Sequence, residues 1–218
     1  MYCPEGKIGG WQKDESMEQI NSVIFDWGGV LIDDPRPGLL KYCANAFGLS
    51  QKDYTPAHDL FLDELHKGLI SEEVFWQKVC GKLDRPTPKV SSLWIDAFKS
   101  AYVPRPEVFS LVSSLRRSGY KTALLSNTEL PTAEFFRGLD YDMFDVSIFS
   151  CVEKTMKPER KIYEITLERL GAKAGQTIFI DDRPDYVQGA REAGINAIIF
   201  KNIEQVKSEF VRLGVKVD

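Results

Sequence analysis

"SVIFDWGGVLIDD", residues 22–34, combines an apolar run with one aspartate and two glycines. Residues 23–25 show no polar alternation, which is typical of a parallel strand buried on both faces. Ligands bind outside the carboxyl ends of such strands, so Asp26 is expected at the rim of a site. Gly28 and Gly29 would let the backbone approach a ligand closely. An aspartate that only begins a turn is the alternative interpretation of this stretch.

Further apolar runs alternate with amphipathic helical patterns along the rest of the chain. Three helical patterns, at 106–119, 157–171 and 185–194, end at glycine, a common helix terminator. This alternation predicts an α/β fold, a doubly wound (Rossmann-like) parallel sheet. The predicted strands after the first are "YKTALLSNT" (120–128), "DVSIFS" (145–150), "QTIFIDDRPD" (176–185) and "INAIIF" (195–200).

Residues 35–103 interrupt the alternation, because they contain helical patterns and no convincing strand. We expect an inserted helical cap subdomain at 35–103, an α/β core domain at 21–34 and 104–218, and a flexible N-terminal extension at 1–20. The helical patterns are "GLLKYCANAFGL" (38–49), "HDLFLDELHKGL" (58–69), "SEEVFWQKVCGKL" (71–83) and "SSLWIDAFKSAY" (91–102).

The composition is that of an ordinary globular protein of 218 residues, with 43% hydrophobic and 28% charged residues. A net charge of −4 argues against nucleic acid as the main partner, since no basic excess exists to neutralise phosphates. No apolar run approaches the roughly 20 residues of a membrane span, and the N-terminus lacks a secretion signal. The four cysteines form no CxxC pair. We therefore expect a cytoplasmic protein with reduced thiols and no membrane partner, either a monomer or a homodimer.

Polar residues follow the predicted strands where each one ends. The carboxyl ends of parallel strands lie at one edge of the sheet, and carboxylates that converge there repel one another unless a cation is present. Mg²⁺ prefers carboxylate oxygens together with substrate phosphate, and a hydroxyl, backbone amides and a lysine suit a phosphate dianion. The residues concerned are Asp26, Ser126, Asn127, Lys157, Asp181 and Asp182.

Four blocks in this order resemble the motifs of the haloacid dehalogenase-like (HAD) hydrolase superfamily. They are "FDWGGVL" (25–31), "LLSNT" (124–128), "KPERKIY" (157–163) and "FIDDRPDYVQGA" (179–190). The helical stretch falls where that superfamily inserts its cap. The "FDxGGV" form is similar to bacterial phosphatases that act on sugar phosphates such as glucose 1-phosphate.

The resemblance implies a Mg²⁺-dependent phosphatase for a small phosphorylated metabolite. Asp26 would attack phosphorus to give an aspartyl-phosphate, which water then hydrolyses. A side-chain oxygen of Asp26, the backbone carbonyl of Gly28 and the carboxylate of Asp182 would hold Mg²⁺, with Asp181 as a direct or indirect partner of the metal. On the phosphate side, the roles implied are phosphoryl contacts from Ser126, Asn127 and Lys157, with Lys157 also catalytic.

One position departs from the family pattern. Most phosphatases of the superfamily carry a second aspartate two residues after the nucleophile, which protonates the leaving oxygen, whereas this chain has Gly28 there. Three substitutes are possible: a leaving group good enough to depart without that proton, or a cap residue or a bound water that donates it instead.

Three other functions are alternatives to the phosphatase. A phosphomutase needs an acid–base aspartate at position 28, which Gly28 cannot supply. A 2-haloacid dehalogenase does not, but the acidic pair at 181–182 favours metal binding and hence the phosphatase. A catalytically silent binding protein is the remaining alternative.

Other polar and aromatic residues of residues 35–103 are expected to have structural roles. The two histidines lack the spacing of a metal site, the aromatic residues at helical spacing predict the core of the cap, and the arginine after the first strand is expected on the surface. These residues are His58, His66, Phe75, Trp76, Trp94 and Arg36.

Overall fold

The computed structural model describes residues 18–139 and 141–216. Of the expected N-terminal extension, residues 1–17 lie outside the described residues. No helix in the described ranges combines the length and the apolar character that a membrane crossing requires.

Five parallel strands form one sheet in the order β3-β2-β1-β4-β5. The apolar run after Asn21 therefore forms the central strand, which is buried along its whole length as its lack of alternation predicts. This arrangement confirms the doubly wound α/β fold. The strands are β1 (Ser22–Phe25), β2 (Lys121–Ser126), β3 (Val146–Phe149), β4 (Thr177–Asp181) and β5 (Asn196–Ile199).

Helices connect the strands and cover both faces of the sheet. Four of them lie between β1 and the helix that leads into β2, in the stretch where the sequence lacks strand patterns. The helices are α1 (Arg36–Ala46), α2 (Gln51–His66), α3 (Glu72–Leu83), α4 (Leu93–Ala101), α5 (Pro106–Arg117), α6 (Leu130–Arg137), α7 (Ser150–Glu153), α8 (Arg160–Leu170), α9 (Pro184–Glu192) and α10 (Ile203–Arg212).

Helix α2 begins earlier than the pattern at 58–69 indicates. It begins at Gln51, where the Ser50 hydroxyl accepts a hydrogen bond from the backbone N–H of Asp53. Pro56 lies inside the helix, in its second turn. A proline removes a backbone donor and usually disrupts a helix interior, so residue type alone disfavours a helix that includes Pro56. The cap at Ser50 and the packing of Tyr54, which is fully buried, stabilise the first turns.

Two apolar clusters fill the protein, one on each face of the sheet. Alternate residues of β1 point to opposite sides: Val23 and Phe25 belong to a large cluster shared with the helices of residues 36–101, and Ile24 belongs to a smaller one with α8 and α9. The aromatic residues Phe75, Trp76 and Trp94 are buried, as predicted. Three cysteines in the described ranges are buried and unpaired: Cys43, Cys80 and Cys151.

The two chain segments that connect the sheet with α1–α4 run side by side. Ile32 and Pro104 form an antiparallel bridge, and the Asp33 N–H donates to the Val103 carbonyl at 2.9 Å. The Arg105 guanidinium donates to the backbone carbonyl of Gly29 at 2.5 Å and pairs with Asp33 at 2.9 Å. The loop after β1 is therefore fixed to the second connecting segment.

Candidate active site

Asp26, Lys157 and Asp181 form a buried ionic cluster at the carboxyl edge of the sheet. Lys157 Nζ lies 2.7 Å from Asp26 Oδ1 and 2.6 Å from Asp181 Oδ2. The same Nζ donates to the Leu125 carbonyl at 3.1 Å and lies 4.9 Å from the ring centroid of Tyr186. Lys157 is fully buried and is not a solvated surface lysine.

The cluster shifts the pKa values of its members. Burial raises the pKa of Asp26; Lys157 opposes this rise, and the carboxylate of Asp181 adds to it. Burial alone would lower the pKa of Lys157, but the two carboxylates outweigh it and the net shift is upward. Lys157 therefore remains a cation, and its charge makes two neighbouring buried carboxylates tolerable.

Asp182 lies beside this cluster, over the loop that follows β1. A Cβ atom at Gly29 would overlap the Asp182 carboxylate, and Gly29 has φ +85°, so only glycine fits there without strain. One carboxylate oxygen each from Asp26, Asp181 and Asp182 lies within 4.8 Å of the other two. Hard oxygen donors at this separation fit a divalent cation such as Mg²⁺. Burial and Asp181 raise the pKa of Asp182, which also indicates excess negative charge here.

Asp181 differs from the other two carboxylates in its contacts. One oxygen accepts from Lys157 Nζ and the other accepts from the backbone N–H of Arg183 at 2.8 Å. Both oxygens are thus engaged by the protein itself. Asp181 is therefore better placed to hold the Lys157 side chain than to bind a metal ion directly.

Ser126 and Asn127 lie at the end of β2, next to β1 in the sheet. Ser126 is buried and lines the same cavity as Asp26. The Asn127 side chain bonds to the backbone of Lys157, as donor to its carbonyl and as acceptor from its N–H. The structure thus brings together all the residues that the sequence singled out at the strand ends.

A cavity of about 290 Å³ opens over this cluster, between the sheet edge and helices α1, α2 and α4. The predicted site residues Asp26, Gly28, Ser126, Asn127, Lys157 and Asp182 all line it, and Asp181 is buried beneath it. The opposite wall contains residues for which the sequence predicts structural roles or a surface position: Arg36, His58, His66 and Trp94.

A chain of polar contacts holds His58 in that wall. Arg36 donates to both oxygens of Asp59, and His58 Nδ1 lies 3.0 Å from Asp59 Oδ1. The His58 ring stacks on Trp94, with ring centroids 5.4 Å apart, and Nε2 has no hydrogen-bond partner. Burial lowers the pKa of His58, so the ring is neutral near pH 7. Arg36 is exposed, as expected from sequence, and it also lines the cavity.

Glu129 is a cavity residue that the sequence analysis did not select. It precedes α6 and is 2% exposed, and burial raises its pKa to about 8. Its Oε2 lies 3.7 Å from Nε2 of His66, the last residue of α2. Glutamates are abundant in this sequence, and only the spacing of three residues after Ser126 could have pointed to this one.

Comparison with known proteins agrees with this site. The family model "haloacid dehalogenase-like hydrolase" matches residues 20–194. Acyl-CoA dehydrogenase family member 10 of Mus musculus is 30% identical over 81% of this chain, which spans 17% of the mouse protein. Chloroplast flavin mononucleotide hydrolase 1 of Arabidopsis thaliana is 34% identical over 89% of this chain and 78% of its own length.

A solved structure has the same architecture. A HAD family enzyme from Bacteroides thetaiotaomicron, in complex with magnesium and inorganic phosphate, superposes with a TM-score of 0.68 at 26% identity. The match covers 84% of this chain and 94% of that one. The family match extends over most of the chain and includes all four motifs. The chain belongs to the haloacid dehalogenase-like hydrolase family.

Proposed function

We propose that this hydrolase is a Mg²⁺-dependent phosphatase for a small phosphorylated metabolite, acting through an aspartyl-phosphate on Asp26. The observation that carries the proposal is the cluster itself: the Asp26 carboxylate, which lines the cavity, lies beside a buried cation, Lys157, and two further carboxylates, Asp181 and Asp182. Phosphoryl transfer requires a positioned nucleophile and fixed positive charge around the transferring group, and this cluster supplies both.

Each residue has a role that its contacts support. Asp26 attacks phosphorus, while Lys157 offsets negative charge on the nucleophile and on the phosphoryl oxygens. Ser126 and the backbone amide of Asn127 bind the phosphoryl group at the end of β2. Asp181 holds Lys157 in place through the ion pair of 2.6 Å.

The metal site that we propose consists of Asp26, Asp182 and the backbone carbonyl of Gly28, with Asp181 behind them. The clustering of hard oxygen donors supports it, as does the presence of magnesium and phosphate in the complex of the related enzyme. When bound, Mg²⁺ supplies positive charge that stabilises the negative phosphoryl oxygens.

We also propose a division of labour within the chain. Residues 21–34 and 104–218 form the core domain with the reacting groups, and residues 35–103 form a cap that encloses the substrate. The cavity between them supports this division, because its walls come from both parts. Exclusion of water by a cap strengthens the electrostatic interactions in the site.

The names of relatives support phosphate ester hydrolysis in general. The Arabidopsis relative is a flavin mononucleotide hydrolase, and flavin mononucleotide is a phosphate monoester. A phosphorylated carbohydrates phosphatase of Thermotoga maritima is 27% identical over 82% of this chain. A sugar phosphate is consistent with these relatives and with the cavity volume. The three clustered carboxylates argue against a metal-independent dehalogenase.

The test is hydrolysis of p-nitrophenyl phosphate with Mg²⁺ and with EDTA. This leaving group departs without a proton, so the glycine at position 28 cannot conceal activity. We expect Mg²⁺-dependent release of p-nitrophenolate that Asp26→Asn abolishes and that Asp96→Asn, an exposed aspartate of α4, leaves unchanged. Absence of release from the wild-type protein, with Mg²⁺ or any other divalent ion, would overturn the phosphatase proposal.

A further inference from the structure

The candidate site lacks a side chain that could protonate a leaving oxygen at the position two residues after Asp26. Gly28 occupies that position, and a Cβ atom there would lie 3.1 Å from Pro35 Cδ, so the space is already filled. A substrate with a poor leaving group nevertheless requires a proton as its bond to phosphorus breaks. The cavity must then supply one from elsewhere.

Glu129 is placed to do this. It lies three residues after Ser126 and two after Asn127. It lines the same cavity as Asp26 and Lys157 and is 2% exposed. The hydroxyl groups of Thr128 and Thr132 donate to its carboxyl group. The only contact at ion-pair range that Glu129 makes within residues 18–139 and 141–216 is with His66.

His66 comes from the opposite wall of the cavity and is locked to the same place. The Ser150 hydroxyl donates to the His66 carbonyl at 2.6 Å and accepts from the Thr128 N–H at 2.9 Å, so one side chain ties the end of α2 to the residue before Glu129. The imidazole of His66 is 18% exposed, and its Nε2 lies 3.7 Å from Glu129 Oε2. The end of α2 and the residue that precedes α6 thus hold an imidazole and a carboxyl group close together.

The surroundings keep this pair uncharged. Burial, together with the negative charge of Glu72 on α3, raises the pKa of Glu129 to about 8. Burial lowers the pKa of His66 to about 3, and His58 when protonated and the positive groups of Arg36 and Arg183 add to this shift. Cys151 of α7 also lies near Glu129, and burial raises the pKa of that thiol to about 11, so it is protonated at neutral pH. At neutral pH the proton therefore lies on Glu129.

We propose that Glu129 is the proton donor to the leaving oxygen, with His66 as the residue that positions it; this inference rests on the proposed phosphatase function. In the first step a bond forms between an Asp26 oxygen and phosphorus, the bond from phosphorus to the leaving oxygen breaks, and the Glu129 proton moves to that oxygen. In the second step water attacks phosphorus, the bond to Asp26 breaks, and the Glu129 carboxylate takes the proton that water loses. The cycle ends with Glu129 protonated again.

The experiment compares aryl phosphates of similar size whose leaving groups range from p-nitrophenolate to p-methoxyphenolate. Glu129→Gln keeps the shape of the side chain but cannot release a proton. We expect its kcat/KM to fall from the best to the poorest leaving group by about a hundredfold more than that of the wild type, at the lower end of the range typical of general acid catalysis. Glu134→Gln, at an exposed glutamate on α6, the helix that Glu129 precedes, should follow the wild type.

Two further measurements keep the test decisive. The wild-type kcat for p-methoxyphenyl phosphate should fall above a pH of about 8, where Glu129 loses its proton, while the kcat for p-nitrophenyl phosphate should not. This measurement uses the wild-type protein and does not depend on whether a variant folds. In His66→Asn that alkaline limb should shift, as expected for a positioning residue. Glu129→Gln could instead lower kcat/KM equally on all substrates, or the pH profiles of kcat could be identical for both substrates. Either result would overturn the role of Glu129 without contradicting the proposed phosphatase function. A wild-type protein without any hydrolysis would overturn the proposed function instead.

Discussion

The side-chain amide of Asn127 pairs with the backbone of Lys157 through two hydrogen bonds. Nδ2 donates to the Lys157 carbonyl and Oδ1 accepts from the Lys157 N–H, and both bonds are 2.9 Å long. Nδ2 also donates to the Tyr186 hydroxyl at 3.1 Å. Thirty residues of chain separate the two partners. The amide therefore fixes the loop before α8 to the end of β2 and sets the position of the lysine between its two carboxylates.

Asn127→Asp should weaken both the fold and the activity. The aspartate has the same shape, but its oxygen faces the Lys157 carbonyl and repels it, leaving a buried acceptor without a donor. We expect a loss of about 1–3 kcal/mol in the free energy of unfolding, measured by urea titration, and a lower kcat on p-nitrophenyl phosphate. Asn45→Asp, on the exposed side of α1, is the matched control. A wild-type kcat in Asn127→Asp would show that this pairing does not position Lys157.

Lys157→Met should be severely destabilising. The substitution keeps the volume of the side chain but leaves Asp26 and Asp181 close together without a cation. Breaking a buried ion pair by removing one partner typically costs about 3–5 kcal/mol, which urea unfolding in EDTA would measure.

The double variant Lys157→Met/Asp181→Asn separates charge from packing. Because it removes one of the two uncompensated carboxylates, it should recover part of the stability that Lys157→Met loses. Lys161→Met, an exposed lysine on α8, should change stability by less than about 0.5 kcal/mol. If the double variant is less stable than the single one, repulsion between the carboxylates is not the cause.

Gly29→Ala should impair metal dependence beyond its effect on the backbone. Gly29 and Gly119 have nearly the same φ, +85° and +86°, but a Cβ atom at Gly29 overlaps the Asp182 carboxylate while one at Gly119 meets nothing within 4 Å. Both substitutions strain the backbone by about 1–2 kcal/mol. Only Gly29→Ala should raise the Mg²⁺ concentration needed for half-maximal activity. Equal Mg²⁺ requirements in the two variants would contradict the placement of Asp182 at the metal.

His66 should make the protein less stable in mild acid. Its pKa is lowered to about 3 in the folded protein, so below its ordinary value of 6.5 the unfolded chain binds a proton that the folded protein does not. Stability is therefore fully present above pH 6.5 and decreases as the pH falls, by at most about 1.4 kcal/mol per pH unit. His66→Gln should flatten the plot of unfolding free energy against pH between 7 and 5. An unchanged slope would show that His66 is protonated in the folded protein.

Local pattern was sufficient to predict the sheet and the residues at its carboxyl edge. The apolar run before Asp26 and the alternation of strands with glycine-terminated helices are local signals, and parallel strands bring their ends together by geometry alone. The start of α2 at Gln51 was missed because Pro56 is a strong local signal against a helix, whereas the buried Tyr54 that stabilises this turn depends on the tertiary fold.

The opposite wall of the cavity could not be predicted in the same way. Arg36, His58 and His66 are brought to the site by the packing of α1, α2 and α4 on one another, which no periodicity records. The burial of Lys157 likewise depends on contacts with Asp26 and Asp181, which lie at the ends of separate strands far away in the sequence. Residue type alone makes an exposed lysine the better prediction.

The antiparallel bridge between Ile32 and Pro104 also bears on how such a protein can diversify. The chain leaves the sheet and returns to it through neighbouring segments, joined by the bond from the Arg105 N–H to the Leu31 carbonyl at 2.9 Å. For the sheet, everything between these two points is a loop whose ends are one strand spacing apart. Evolution can therefore lengthen, shorten or exchange the intervening helices without altering the register of any strand. The reacting groups on the sheet can stay constant while the residues that recognise the substrate change.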